Sequence, residues 1–181
     1  MMKIFSTQLT GHFNRIVEQE ELSIEDSARL LAQALVGEGK IYIYGFQELH
    51  GIVLEAVHSS EPLIRSEALL NQKGEMKELT PADRVLLFTY RSTDEEAIKL
   101  AQELSSKGIQ TVGVSAVMKG EETGLNKITD LHIDSKLRQP LIPGEDGERY
   151  GFPALMTSLY VYYNLTFILK EILDEFEDDE L

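Results

Sequence analysis

Cysteine is absent from this sequence, and positive charge is scarce. Without cysteine the chain can form no disulfide, no thiolate zinc site and no cysteine nucleophile, which fits a reducing compartment. Lysine and arginine number 17 against 31 acidic residues, for a net charge of −14. A surface with this charge repels a nucleic-acid backbone and an anionic membrane, so we expect neither as a partner.

The beginning of the chain also lacks the long apolar segment of a signal peptide, because polar residues follow from Ser6 onward. We therefore expect a cytoplasmic protein. The 4 histidines are scattered, and none pairs with another ligand at a metal-binding spacing. We expect no metal and no cofactor. At 181 residues and 43% hydrophobic content, the chain is predicted to form one domain over 1–181.

The central stretch 83–116 predicts a βαβ unit. Residues 85–88 form a continuous apolar run, which is typical of a strand buried on both faces. Apolar residues at Ala97, Leu100, Ala101 and Leu104 then predict one face of a helix, and a β-branched segment at 109–114 predicts the next strand. The two strands should be parallel and joined by a crossover helix.

The segments before this unit predict helices and another strand. One helix is expected within 1–22, and a second should begin at Ser23, where Asp26 resembles a capping box. A strand at 40–45 and a helix at 52–58 follow. Leu63 and Ile64 are consistent with a short strand.

The segments after it predict an edge strand, a loop and a long helix. Residues 130–134 alternate as an edge strand does, and the prolines and glycines of 136–151 predict a long loop. Residues 152–176 predict a helix buried on all sides, partly by a second subunit, and 171–181 form an acidic, frayed tail. The whole pattern predicts a three-layer α/β/α sandwich with a parallel sheet of about five strands.

Hydroxyl residues follow the strand at 85–88, at the edge where open parallel sheets bind ligands. The hydroxyls of Thr89, Ser92 and Thr93, with the unpaired N–H groups of the next helix, would hold a phosphate, and Arg91 would add a bidentate contact. The alternative is that Ser92 only caps the helix, with Glu95 closing a capping box.

The turn after the strand at 40–45 supplies further binding candidates. Gly45 permits a tight bend or a close approach to a ligand. Gln47 and Glu48 are candidates to bind sugar hydroxyls, although exposed loop residues of this kind usually contact water. The weaker catalytic candidates are His58 with Glu55 or Glu61, for which the alternative is a surface or capping role.

This order of elements resembles the sugar isomerase (SIS) domain from about Ser23 to Leu173. The second SIS motif, Ser-x-Ser-Gly-x-Thr-x-Glu, aligns with 89–96, where Thr89 and Glu96 fit; arginine replaces the second serine, serine the glycine and aspartate the threonine. Of the first motif, Gly-x-Gly-x-Ser, only Gly45 is matched, since Gln47 and Leu49 take the other two places.

The resemblance implies a homodimer that binds a phosphorylated sugar or a related carbohydrate derivative. Phosphoheptose isomerase is an enzyme of the family with similar size and layout, but its final helix carries histidine and glutamine, which 152–173 lacks. We therefore expect a regulatory or non-catalytic binding module. The alternatives are a sugar-phosphate aldose–ketose isomerase and a protein-interaction module with a vestigial ligand site.

Overall fold

A five-stranded parallel sheet forms the centre of the molecule, in the order β2-β1-β3-β4-β5. The structure is a computed structural model that describes residues 2–120 and 123–179. The strands of the sheet are β1 (Ile41–Gly45), β2 (Ser66–Ala68), β3 (Arg84–Arg91), β4 (Gln110–Ala116) and β5 (Leu131–Asp134). The helices are α1 (Met2–Val36), α2 (Gly51–His58), α3 (Glu95–Ser106), α4 (Leu125–Ile128) and α5 (Ala154–Asp179).

Helices cover both faces of this sheet, so the predicted three-layer α/β/α sandwich is confirmed. Alternate residues of β1 point to opposite faces: Ile41 and Ile43 pack with α1, α2 and α5, whereas Tyr42 packs with α3 and α4. Phe88 of β3 is completely buried on the first face and Leu87 on the second. This two-sided burial explains why β3 is apolar without alternation.

The amino-terminal region differs from the prediction, because α1 is one continuous helix and not two. Ser23 lies inside it, and no proline interrupts the segment. Arg29 bonds to Glu25 at 3.1 Å and Asp26 at 2.8 Å, one helical turn away. Asp26 therefore supports the turn that follows it and does not close a capping box with Ser23.

The structure also corrects two predictions for the segments that connect the main helices and strands. The short strand lies at Ser66–Ala68 and not at Leu63 and Ile64. The segment 136–151 is not structureless, since β6 (Ile142–Pro143) and β7 (Arg149–Tyr150) pair as a small antiparallel hairpin. The edge strand predicted at 130–134 is confirmed as β5.

Helix α5 is buried along one side only, so the prediction of burial on all sides is wrong for a single copy. Leu165 is fully buried, whereas the side chain of Phe167 is 60% exposed. The acidic segment continues as helix through Asp179, contrary to the predicted fraying from 171, and residues 180–181 of that prediction lie outside the described residues. Within the described ranges, no helix is long and apolar enough to cross a membrane.

Candidate functional site

The carboxyl ends of β1 and β3 border a cavity of about 210 Å³, which we call the strand-end cavity. Its lining residues are Phe46, Gln47, Thr89, Tyr90, Asp94, Glu95 and Glu96. Register pairing places Gly45 beside Phe88, so the turns after β1 and β3 begin side by side. The structure thus brings the two predicted binding turns together.

Gly45 and Gln47 shape the turn after β1. A Cβ on Gly45 would lie 2.1 Å from the carbonyl oxygen of Leu49, so the glycine permits a tight bend onto its own chain. Gln47 has φ 53°, a left-handed conformation that is unusual for a residue with a side chain. This is the position that we aligned with the second glycine of the Gly-x-Gly-x-Ser motif, and glycine adopts such a conformation without strain.

Asp94 fills the position that we predicted for a phosphate. Its carboxylate accepts hydrogen bonds from the Thr89 hydroxyl and, at 3.1 Å, from the backbone N–H of Arg91. These are two of the donors that a phosphate would need. A bound dianion would also meet the exposed acids Glu95 and Glu96. The turn 89–93 therefore carries an internal anion where a phosphate was expected.

Ser92 does not line this cavity, and the structure excludes its predicted role as the helix cap. Helix α3 begins at Glu95 with Asp94 as its N-cap residue, which excludes Ser92 as the cap. Ser92 is 1% exposed, and its hydroxyl accepts a hydrogen bond from the backbone N–H of Met118 at 3.1 Å. The serine thus fastens the turn after β3 to the turn after β4.

The remaining binding candidates are exposed or lie outside the cavity lining. Arg91 is exposed, and neither it nor Thr93 lines the strand-end cavity. Glu48 is also exposed and accepts a hydrogen bond from the hydroxyl of Tyr90, which joins the two turns. Of the predicted ligand residues, only Gln47 and Thr89 reach the cavity.

The structure does not bring the catalytic candidates to this cavity. His58 is exposed at the carboxyl end of α2, whereas the cavity lies near the beginning of that helix. Glu55 accepts a hydrogen bond from the Tyr163 hydroxyl of α5 at 2.5 Å. Glu61 borders a groove along α5. The three residues form no acid–base group at the carboxyl ends of the strands.

A second cleft, larger than the strand-end cavity, lies between α1 and the segment after β5, where no local sequence pattern predicts a site. Its volume is about 410 Å³. We call it the cationic cleft, and it is lined by Gln8, His12, Arg15, Lys136, Arg138, Gln139, Pro140, Leu141 and Arg149. The residues of the cleft come from two segments that are more than 100 residues apart in sequence. No short sequence motif could therefore predict it.

Comparison with known proteins identifies a family and a fold. The model of a family described as a domain of unknown function, DUF2529, matches residues 1–173. The protein YwjG of Bacillus subtilis (strain 168), described as uncharacterized, is 50% identical over 176 residues, which are 97% of this chain and 99% of that protein.

Two solved structures show the same fold at low sequence identity. A phosphoheptose isomerase from Francisella tularensis has a TM-score of 0.60 at 13% identity, covering 92% of this chain and 94% of its own. The sugar isomerase domain of an RpiR transcription factor from Sphaerobacter thermophilus has a TM-score of 0.54 at 11% identity, covering 94% and 96%. The SIS resemblance thus holds at the level of fold, and the chain belongs to the DUF2529 family.

Proposed function

We propose that this protein is a non-catalytic SIS-type module that binds a phosphorylated sugar or a related carbohydrate derivative. One observation carries the proposal: a cavity of about 210 Å³, lined by both polar and aromatic side chains, lies beyond the carboxyl ends of β1 and β3. Open parallel sheets bind their ligands at this edge. Of the two solved structures named above, one is an isomerase and the other is a domain of a transcription factor. The same fold therefore occurs in proteins with different roles.

The lining of the strand-end cavity suits the carbohydrate part of such a ligand. Gln47 offers an amide, and Asp94, Glu95 and Glu96 offer carboxylate oxygens. These groups accept hydrogen bonds from hydroxyls, and the amide also donates. Phe46 and Tyr90 add apolar ring surface to the same lining. The mixture favours a polyhydroxylated ligand over a purely anionic one.

The same lining argues against the isomerase alternative. Moving a proton between adjacent sugar carbons needs a general base and a general acid that face the same carbons. Asp94 is already held by Thr89 and by the Arg91 N–H, and no histidine lines the cavity. Helix α5 contains neither histidine nor glutamine. Binding without turnover is therefore the better proposal.

The first prediction tests binding at the strand-end cavity. A thermal-shift panel of sugars and sugar phosphates should raise the melting temperature of the full chain for at least one compound. A ligand at a hundred times its dissociation constant adds about 2.7 kcal/mol to the folded state, which for a chain of this size corresponds to roughly 5–10 °C. Gln47→Gly should abolish the shift, because it removes the amide while glycine keeps the left-handed backbone.

The matched control is Gln72→Gly, which removes an exposed amide from the turn at 71–74. It should leave the ligand shift unchanged. NMR of the bound sugar over hours reports on catalysis: formation of its ketose or aldose isomer would contradict the non-catalytic proposal. No shift with any compound would leave the protein-interaction module as the remaining reading.

We also propose that the protein is a homodimer formed through α5. Tyr163, at 40%, and Phe167, at 60%, are exposed on this helix, and Ile64 across the adjoining groove is 61% exposed. An apolar surface of this kind marks a contact with another protein. A cytoplasmic location stays part of the proposal.

The second prediction concerns this assembly. Sedimentation of the wild-type chain at high micromolar concentration should show a dimer, and Phe167→Glu should give a monomer because it places a charge in the apolar contact. Leu22→Glu is the control, since Leu22 is a 74% exposed residue of α1 outside this groove. A wild-type chain that sediments as a monomer would remove the proposal.

A further inference from the structure

The cationic cleft gathers four of the 17 basic residues of a chain whose net charge is −14. Arg15 comes from α1, and Lys136, Arg138 and Arg149 come from the chain after β5. Like charges repel one another, so such a cluster is costly unless something neutralises it. The partners of each cation show which charges remain open.

Two of the cations are neutralised within the protein. The ammonium of Lys136 lies 2.5 Å from Glu20 and 3.2 Å from Asp134, and the three side chains are about one-tenth exposed. Arg138 donates to the same Asp134 carboxylate at 2.8 Å. Glu20 and Asp134 thus balance Lys136 and the more exposed Arg138.

The charges of the other two cations, Arg149 and Arg15, are not balanced by an acidic side chain that the structure describes. Arg149 donates to the main-chain oxygens of Pro140 at 2.8 Å and Leu141 at 2.7 Å, which fix its position without cancelling its charge. Arg15 forms no ion pair with any residue that the structure describes, and its side chain is exposed. The cleft therefore carries about two uncompensated positive charges, one on each wall.

A buried histidine, His12, is among the residues that line the cleft. His12 is 2% exposed, and its Nε2 has no hydrogen-bond partner among the described residues. An unpaired polar atom in a protein interior costs stability, and such atoms call for an explanation, of which an absent ligand or water is one. The Nε2 atom is itself enclosed by protein, so a ligand in the cleft would reach it only after the ring or its neighbours moved.

We infer that the cationic cleft is a binding site for a small phosphate-bearing anion. Guanidinium groups bind phosphate oxygens with two parallel hydrogen bonds, which favours phosphate where two arginines face one space. A volume of about 410 Å³ lies in the usual range for small-molecule sites, and the acidic remainder of the surface opposes a nucleic acid. The site is separate from the strand-end cavity, and its proposal does not depend on the one made there.

The test is calorimetric titration of the full chain with inorganic pyrophosphate at constant ionic strength. Arg15→Gln should weaken binding about tenfold or more, because hydrogen bonds between charged groups are the stronger class and the exposed Arg15 side chain lines the cleft. Arg29→Gln is the matched control: it removes the same charge from the same helix outside the cleft, and should change the dissociation constant less than twofold. Circular dichroism melts verify that both variants are folded.

Three results would overturn the inference. They are no pyrophosphate binding by the wild-type chain, equal weakening by Arg15→Gln and Arg29→Gln, and loss of pyrophosphate binding in Gln47→Gly. Equal weakening would indicate only a general effect of net charge. Loss in Gln47→Gly would place the ion in the strand-end cavity. Pyrophosphate binding that persists in Gln47→Gly but fails in Arg15→Gln supports the cleft, whatever the sugar panel shows.

Discussion

Asp134→Ala is expected to lower the free energy of unfolding by about 3–5 kcal/mol, as loss of one partner of a buried ion pair does. Asp134 is 7% exposed at the end of β5. One carboxylate oxygen accepts from the backbone N–H groups of Val117, at 3.0 Å, and Lys136, at 2.8 Å. The other contacts the side chains of Lys136 and Arg138. Removing the carboxylate leaves two cations and two backbone donors short of a partner.

Urea denaturation measures this loss, and two further variants separate its parts. Asp134→Asn keeps an acceptor for the backbone donors but removes the charge, so it should cost less than Asp134→Ala. Asp130→Ala is the matched control, because Asp130 lies just before β5 and accepts a hydrogen bond from the Thr111 N–H at 2.8 Å. It should cost about 1 kcal/mol. Equal costs for Asp130→Ala and Asp134→Ala would show that the buried charge cluster contributes nothing of its own.

The contacts of Asp134 also show why the central fold is easier to predict from the sequence than its sites are. Strand β3 and helix α3 are encoded locally, by an apolar run and by apolar spacing at Ala97, Ala101 and Leu104. The backbone N–H of Asp134 donates a hydrogen bond to the carboxylate of Glu20, which lies 114 residues away in sequence. A sequence pattern within one segment carries no information about a contact between residues so far apart in the chain.

Ser92 shows the same limit at the predicted phosphate turn. A serine two positions before an acidic helix start favours a cap or a phosphate ligand, and both interpretations use only neighbouring residues. Its true partner is the N–H of Met118, after the next strand. Asp94 accepts a hydrogen bond from the Thr89 hydroxyl, and this contact depends on the bend of the chain between them. Side-chain direction in a turn requires the folded backbone.

The predicted break within α1 is wrong for a different reason. Ser23 and Asp26 match a helix start, but the same residues are tolerated inside a helix when tertiary packing supports it. Ile16 and Ile24, on either side of the predicted break, are both buried in the core shared with α5. Packing against a second long helix therefore overrides a local capping signal.

The last expected result is acid destabilisation between about pH 6.5 and pH 4. Burial and the nearby Arg15 lower the pKa of His12 to about 4, and burial and Lys136 lower the pKa of His132 to about 4, while Asp134 opposes both shifts. An unfolded histidine has a pKa near 6.5, so in this window the unfolded chain binds more protons than the folded one. The stabilising contribution is therefore complete above pH 6.5 and is lost as the pH falls through the window.

Between pH 6.5 and 4.5, each of these two histidines should remove about 2 kcal/mol from the free energy of unfolding. Urea denaturation at half-unit pH steps measures the slope. His12→Leu and His132→Gln should each reduce it by about one proton, the glutamine keeping a possible bond to the hydroxyl of Ser115, which lies 2.8 Å from the ring. His58→Gln is the comparison variant, because it removes an imidazole from the surface and not from the interior.

Other acid-sensitive groups can be separated by their position on the pH axis. Hydrogen bonds from Lys40 and Lys77 lower the pKa of Glu67, so its contribution is present above the ordinary glutamate value and disappears only as the pH falls further. A slope that is the same in wild type, His12→Leu and His132→Gln between pH 6.5 and 4.5 would show that neither ring is held neutral by the fold. A reduced slope in His12→Leu would establish that the ring beside the cationic cleft is uncharged at neutral pH, so that Arg15 and Arg149 supply the open positive charge there.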